Sequence, residues 1–275
     1  MKLPPRVADC HLHVFDPDRF PYDPEASKRP LKDPGTPAQF RAVMAAHGIT
    51  HALLVSPWTG YRFDNRCTID AVKRSRGVFR GIARPSPHVT AEQLRELKKA
   101  GMLGIRIDLL TDGMAVLAGP EGPNVLARIR DHGFMVQIQP EKDLLAPIAD
   151  RLRESKAQIV IDHCGRPDPA KGLSQPGFKA LLRLADTGRC AVKLSGPFRF
   201  SRLPFPYPDA DPYPKALVRA FGPENCVWGS DWPFVLLDSR VDYGPCLQAL
   251  ERWVPKAADR RRILWDTPRR LYGFR

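Results

Sequence analysis

The sequence predicts an α/β protein folded as one closed parallel barrel. Three observations predict it. Short apolar runs with strand-forming composition recur eight times. Segments of helical composition lie between them, several ending at a glycine. The length, 275 residues, is about that of a single α/β barrel. Eight such units in one domain spanning 1–275 favour a ring over an open sheet. A doubly wound sheet is the structural alternative. No glycine-rich phosphate loop follows an early strand, which weakens its dinucleotide-binding version and predicts no nucleotide or redox cofactor.

The expected strands run Val7–Val14, Ala52–Ser56, Phe79–Ala83, Leu103–Ile107, Phe134–Ile138, Gln158–Ile161, Cys190–Leu194 and Cys226–Gly229. Helices are expected between them. Ala38–His47 follows Thr36-Pro37, a cap and a first-turn proline, and stops at Gly48. Asp64–Ser75 is helical in composition. Thr90–Ala100 begins on a capping threonine and ends at Gly101. Val125–His132 ends at Gly133, Asp143–Ser155 is amphipathic, Phe178–Thr187 ends at Gly188, and Pro214–Phe221 ends at Gly222. Proline-rich stretches, the longest from Pro17 to Pro37, read as loops after strands.

Composition narrows the class of function. A chain with 43% hydrophobic and 27% charged residues folds and needs no staples for its core. No apolar run approaches the roughly 18 residues of a membrane span, and the N-terminus lacks a secretory pattern. The six cysteines are scattered without a CxxC pair, which suits reduced thiols and a cytoplasmic location. The net charge of +13 suggests nucleic acid first. The basic residues are spread along the chain, however, and no nucleic-acid motif accompanies them. The expected partner is an anionic small molecule, met by a monomer or small homo-oligomer.

Chemistry concentrates at the outgoing ends of the strands, where barrels of this kind build active sites. Asp9-Cys10-His11-Leu12-His13 places two imidazoles two residues apart, on one face of the first strand. Such a pair ligates a metal or holds an oxyanion. His163 follows directly on the apolar run Ile159-Val160-Ile161, with Gly165 allowing a sharp turn. Asp231 ends the last run in Trp228-Gly229-Ser230-Asp231-Trp232-Pro233. A buried carboxylate facing histidines is a candidate base for water. Arg106 and Arg199 stand at strand ends and suit substrate carboxylates. Gln137 and Gln139 share a strand face, and Ser56, Tyr61 and Asn65 lie on or near the second loop.

These stretches together resemble the amidohydrolase superfamily, in the branch that includes 2-pyrone-4,6-dicarboxylate lactonase and sugar-lactone hydrolases. The resemblance is carried by Cys10-His11-Leu12-His13-Val14-Phe15, Phe20-Pro21-Tyr22, Asp64-Asn65, Phe79-Arg80-Gly81-Ile82-Ala83, Gly104-Ile105-Arg106 and Val136-Gln137-Ile138-Gln139. Asp162-His163-Cys164-Gly165-Arg166, Lys193-Leu194-Ser195-Gly196 and Gly229-Ser230-Asp231-Trp232-Pro233 complete it. It implies a distorted (β/α)8 TIM barrel, with an extended N-terminal loop from Phe15 to Pro37 over or beside the mouth. It also implies hydrolysis of a carboxylate-bearing lactone. In that reading Asp231 takes the proton of water, His11, His13 and His163 polarise the carbonyl, and the arginines orient the substrate. A decarboxylase of the same superfamily and a non-catalytic binding protein are the alternatives.

Three departures from the branch stand out. Gln139 occupies a position often held by histidine or tyrosine, which argues against a binuclear metal centre. No arginine follows Arg106 within Asp108-Leu109-Leu110-Thr111-Asp112. Phe234 stands where relatives often have histidine. Together these weigh against the pyronedicarboxylate itself as substrate, but not against the hydrolase class. The expectation is no tightly bound metal; the alternative is a single divalent ion, zinc, held by His11, His13, His163 and Asp231.

Overall fold

A computed structural model of the protein describes residues 1–26, 31, 35–111 and 113–275. Eight parallel strands follow one another in sequence order around a single sheet. They are β1 (Ala8–Leu12), β2 (His51–Val55), β3 (Phe79–Ala83), β4 (Met102–Asp108), β5 (Met135–Gln139), β6 (Ile159–Ile161), β7 (Cys190–Ser195) and β8 (Cys226–Gly229). The ring is nearly closed: just past the end of β8, Asp231 N donates to His11 O and His13 N to Trp232 O, each at 2.8 Å. The expected barrel is therefore present, and each expected strand is found, Phe79–Ala83 and Cys226–Gly229 with the expected bounds and the others within two residues at each end.

The helices show where local signals were sufficient. α1 (Pro37–His47) has a full capping box, with the Thr36 hydroxyl accepting from Gln39 N and the Gln39 side chain accepting from Thr36 N, and it stops at left-handed Gly48. α2 (Arg66–Arg74) and α3 (Ala91–Lys99) match expectation within two residues at each end, α3 with its own capping box at Thr90. The expected helix Asp143–Ser155 is corrected. Pro147 confines its first part to a short 3-10 turn, Ala146–Ile148, before a helix over Ala149–Glu154. Helices at Gly113–Ala118 and Tyr243–Trp253 were not expected, because glycine and proline near their starts obscure the period.

Two apolar regions result. One lies between the ring and its helices. The other lies within the ring and includes Cys10, Leu53, Val55, Ile82, Met135, Val160, Ala191 and Val227, capped by Trp265, Tyr272 and Phe274 from the C-terminal segment. The plug sits at the strands' incoming ends, so the open mouth is at the outgoing ends.

The N-terminal loop is only partly visible, since residues 27–30 and 32–34, and Asp112 on the fourth loop, lie outside the described residues. Its described parts are tied beside the mouth: Phe15 N donates to Gly35 O at 3.1 Å and Asp23 N to Gly60 O at 2.8 Å. No helix among the described residues is long and apolar enough to cross a membrane. All six cysteines are buried and unpaired with one another.

Candidate active site

The mouth is built by strand alternation. On β5, β7 and β8, Met135, Ala191 and Val227 join the interior apolar cluster. Two residues on, Gln137 and Lys193 are fully buried. Two further, Gln139 and Ser195 face the mouth, and Asp231 follows Gly229. β1 departs from strict alternation, because its register against β2 shifts between Asp9 and Leu12. Cys10 packs into the interior cluster while the adjacent His11 reaches Asp162 across the ring. His11 and His13 do share the mouth, as expected.

Asp231 is the meeting point of the upper layer. Its Oδ1 lies 3.6 Å from His11 Nε2, 3.5 Å from His13 Nε2 and 3.9 Å from His163 Nε2. Its Oδ2 accepts from Arg199 Nε at 2.6 Å. Its backbone is held at a φ of 66°, a strained left-handed value for a non-glycine residue. Gly229 permits the approach of β1, since a Cβ there would stand 2.6 Å from the His11 Cβ. Gly196, at a φ of 59°, serves His163 in the same way: a Cβ would stand 2.8 Å from its Nδ1.

Asp162 is the centre of a lower layer. It accepts from Arg106 Nε and Gln137 Nε2, each at 3.0 Å, and its other oxygen is 3.2 Å from both Lys193 Nζ and His11 Nδ1. Lys193 Nζ is also 3.0 Å from His11 Nδ1. The outer nitrogens are steered too: His13 Nδ1 donates to Val55 O at 2.7 Å, and His163 Nδ1 meets Ser195 Oγ at 3.0 Å.

The electrostatics follow from burial opposed by charge. Burial pushes the Asp231 carboxyl up, but Arg199 and the histidines hold it well below the usual carboxylate range. Burial likewise pushes Asp162 up, and Lys193, His11 and Arg106 overcome it, leaving a low value. Burial lowers His163 to about 3, against the pull of Asp231 and Asp162. Burial, and then Lys193, push His11 well below its ordinary value. The layer thus presents an ionised carboxylate among imidazoles, of which His11 and His163 are neutral.

Above this layer opens a cleft lined by His13, Arg106, Gln139, His163, Arg199 and Asp231, all singled out in the sequence. Trp58, Asp108 and Arg166 line it as well. The other sequence candidates lie elsewhere. Gln137 sits beneath the cleft on Asp162. Ser56 is buried with its hydroxyl unpartnered. Tyr61 accepts from Asp16 N at 2.9 Å and stacks on Phe15, so it anchors the N-terminal loop. Asn65 accepts from Arg84 N at 2.6 Å and positions the end of β3. Both arginines are partly committed to protein groups: Arg106 also donates to the Gln139 side-chain oxygen, and Arg199 to Val235 O.

The amidohydrolase family matches residues 8–274. The chain belongs to it. Among its family relatives, a 4-sulfomuconolactone hydrolase of Rhizobium radiobacter is 35% identical, covering 98% of this chain and 91% of that protein. A 2-pyrone-4,6-dicarboxylate hydrolase of Comamonas testosteroni is 30% identical over 98% of this chain and 91% of its own. A solved structure of a probable 2-pyrone-4,6-dicarboxylic acid hydrolase from Acinetobacter baumannii superposes with a TM-score of 0.88. It has 26% identity and covers 98% of this amidohydrolase chain and 99% of its own.

The donor set here fits one divalent ion. His11 Nε2 is buried without a hydrogen-bond partner, and His13 Nε2 faces Asp231 Oδ1 at 3.5 Å. With Asp231 these two form one compact group of potential ligands; His11, Asp162 and His163 form another. Asp162 was not foreseen as part of such a group. Lys193 and Arg166 stood within the motif stretches quoted from the sequence but were given no role at the site.

Proposed function

We propose that this amidohydrolase opens a lactone that carries an acidic group. The observation that carries the reading is Asp231: a buried, ionised carboxylate at the floor of a guanidinium-lined cleft, with one oxygen held by Arg199 and the other facing three imidazoles. The relatives support it, being named for hydrolysis of cyclic esters with anionic groups. The Acinetobacter neighbour holds citric acid, a small polycarboxylate.

The steps follow from the geometry. Water lies against Asp231 Oδ1, which accepts its proton as the water oxygen bonds to the lactone carbonyl carbon. With Ser195 Oγ donating to Nδ1, neutral His163 offers Nε2–H to the developing oxyanion. The ring C–O bond then breaks, the protonated Asp231 returns its proton to the departing ring oxygen, and a hydroxy acid results. The unspent N–H groups of Arg106, Arg166 and Arg199 grip the acidic group of the substrate. His11, His13 and Asp231 would hold a divalent ion, which when bound supplies Lewis-acid polarisation of the carbonyl.

The test is a panel of sugar lactones and muconolactone-type compounds, followed by proton release and by mass. Ring opening with gain of one water, abolished in Asp231→Asn, is expected. Release of carbon dioxide with the ring intact would replace this reading with decarboxylation. Binding without turnover that is unchanged in Asp231→Asn would replace it with a binding role.

A further inference from the structure

The mouth has two unlike halves. The strand ends follow sequence order around the ring, so β1 stands across from β5. The half centred on β5 is polar, with Arg106 and Asp108 on β4, Gln139 on β5 and Arg166 just after β6. Across from it, beyond His13, the described lining is mostly carbon: Pro57, Trp58 and Thr59 after β2, and Val235 and Leu236 after β8. The Arg84 guanidinium lies 4.2 Å over the Trp58 ring and holds it in place. Leu236 stands out on this side. It is 58% exposed, and its φ of 60° is a left-handed value that a bulky apolar residue seldom adopts. Phe234, two residues before it, is left-handed too, at 63°. The turn is tied to the chemistry, because Phe234 N donates to Asp231 O at 3.0 Å and Arg199 Nη1 donates to Val235 O at 2.8 Å. Backbone strain of this kind persists where the conformation it holds is used, and here it presents a leucine to the cleft.

We infer that the lactone opened here carries an alkyl substituent on the side of its ring away from the acidic group, and that Leu236, with Val235, Pro57 and Trp58, receives it. This deepens the lactonase reading and rests on it for the chemistry. With the acidic group on Arg106 and Arg166 and the carbonyl over Asp231, the far side of the ring points across His13 to the apolar half. Each methylene placed there leaves water for a surface of carbon, which is favourable. A second carboxylate at the same place would give up its water without a charged partner to replace it. A ring hydroxylated on every carbon gains nothing from Leu236 for the same reason. The two halves thus read two parts of one substrate, the first by hydrogen bonds and charge, the second by apolar contact.

Binding can test this independently of turnover. The probes are three unreactive cyclic ethers, tetrahydropyran-2-carboxylate, its 6-butyl derivative and tetrahydropyran-2,6-dicarboxylate, titrated calorimetrically into the whole protein. The butyl compound should bind about tenfold more tightly than the unsubstituted one, and more tightly than the dicarboxylate. Leu236→Asn removes the apolar surface while asparagine tolerates the left-handed backbone. It should cut the butyl advantage to about threefold or less and leave the unsubstituted compound within about twofold. Leu236→Met, which keeps an apolar side chain, should retain the advantage. Leu236 is largely exposed, so neither variant disturbs the core. Equal or weaker binding of the butyl compound overturns the inference, as does tighter binding of the dicarboxylate. So does an advantage unmoved in Leu236→Asn or lost equally in Leu236→Met, or binding of no probe. A failure to open any lactone while the butyl preference holds would instead overturn the lactonase reading alone.

Discussion

At the incoming end of the barrel, the inward side chains of the strands are Cys10, Leu53, Val55, Ile82, Met135 and Val160, closed off by Trp265, Tyr272 and Phe274. One pleat further along the same strands, the inward positions hold Arg106, Gln137, Asp162, Lys193 and then Asp231. Both layers are buried. The lower one is stable because apolar surface leaves water, and each residue contributes on its own. The upper one is stable only as a set, because a buried charge is tolerated when its partners are present and costly when one is removed. A barrel can therefore carry a charged floor to its active site only if every strand contributes a matching group. This is why the residues with evident chemistry are accompanied by residues without it.

The sharpest way to break this comparison is at Asp231. Asp231→Asn should lower kcat by about 10³-fold or more, since a positioned base is lost. In the unaltered protein, the low value of the Asp231 carboxyl keeps the base ionised, so kcat/KM should stay level on the acid side down to about pH 4. An acid limb near pH 6 would assign the base to another group.

Asp162→Ala is next. It leaves Lys193, which is fully buried, and Arg106 without their shared carboxylate, and should cost about 3–5 kcal/mol of stability. The double variant Asp162→Ala with Lys193→Met should recover a good part of that loss. Chemical denaturation of both would decide it. Equal stability of the single and double variants would show that the network is not coupled.

Phe274→Ala probes the opposite end. Phe274 is buried and packs on Trp265, Tyr272 and His51. Its loss should cost about 3 kcal/mol and leave kcat/KM at 25 °C unchanged within about twofold. A change in kcat/KM much larger than that would mean that the two ends are not independent.

The two layers also differ in how much of them could be read from sequence. The strands were legible because each is a short apolar run between helical segments. His11, His13, His163 and Asp231 were legible because they interrupt or end such runs. Lys193 was not, since one lysine inside Cys190–Leu194 looks like the solvent face of a half-buried strand; only closure of the ring makes both faces interior. Arg166 escaped because it sits in a tight turn at a φ of 44°, and its aim depends on that turn. Tyr61 and Asn65 were placed near the site by their position on the second loop, but their hydrogen bonds serve the N-terminal loop and the end of β3. The plug was missed because Trp265, Tyr272 and Phe274 lie in an arginine-rich tail whose charge masks three buried rings.

Asp9 gives the smallest and most discriminating effect, because it is as buried as Asp162 and shifted the other way. Burial pushes its carboxyl up to about 6, against hydrogen bonds from Ser230, the His11 backbone and Tyr243. All of those donors are neutral, whereas Asp162 has Lys193 and Arg106. A carboxyl whose native value is raised above its unfolded value of 3.8 holds its proton more tightly when folded. The stability this gives is complete below about pH 3.8 and is lost as the pH rises through about 6. Asp9→Asn, which keeps an acceptor for Ser230 N, removes that dependence. The unfolding free energy of Asp9→Asn relative to the unaltered protein should therefore rise by about 2–3 kcal/mol between pH 4 and pH 7. Urea denaturation at intervals across that range measures it. A difference that stays constant would mean that neutral donors suffice to keep Asp9 ionised, and that cations are not what separates it from Asp162.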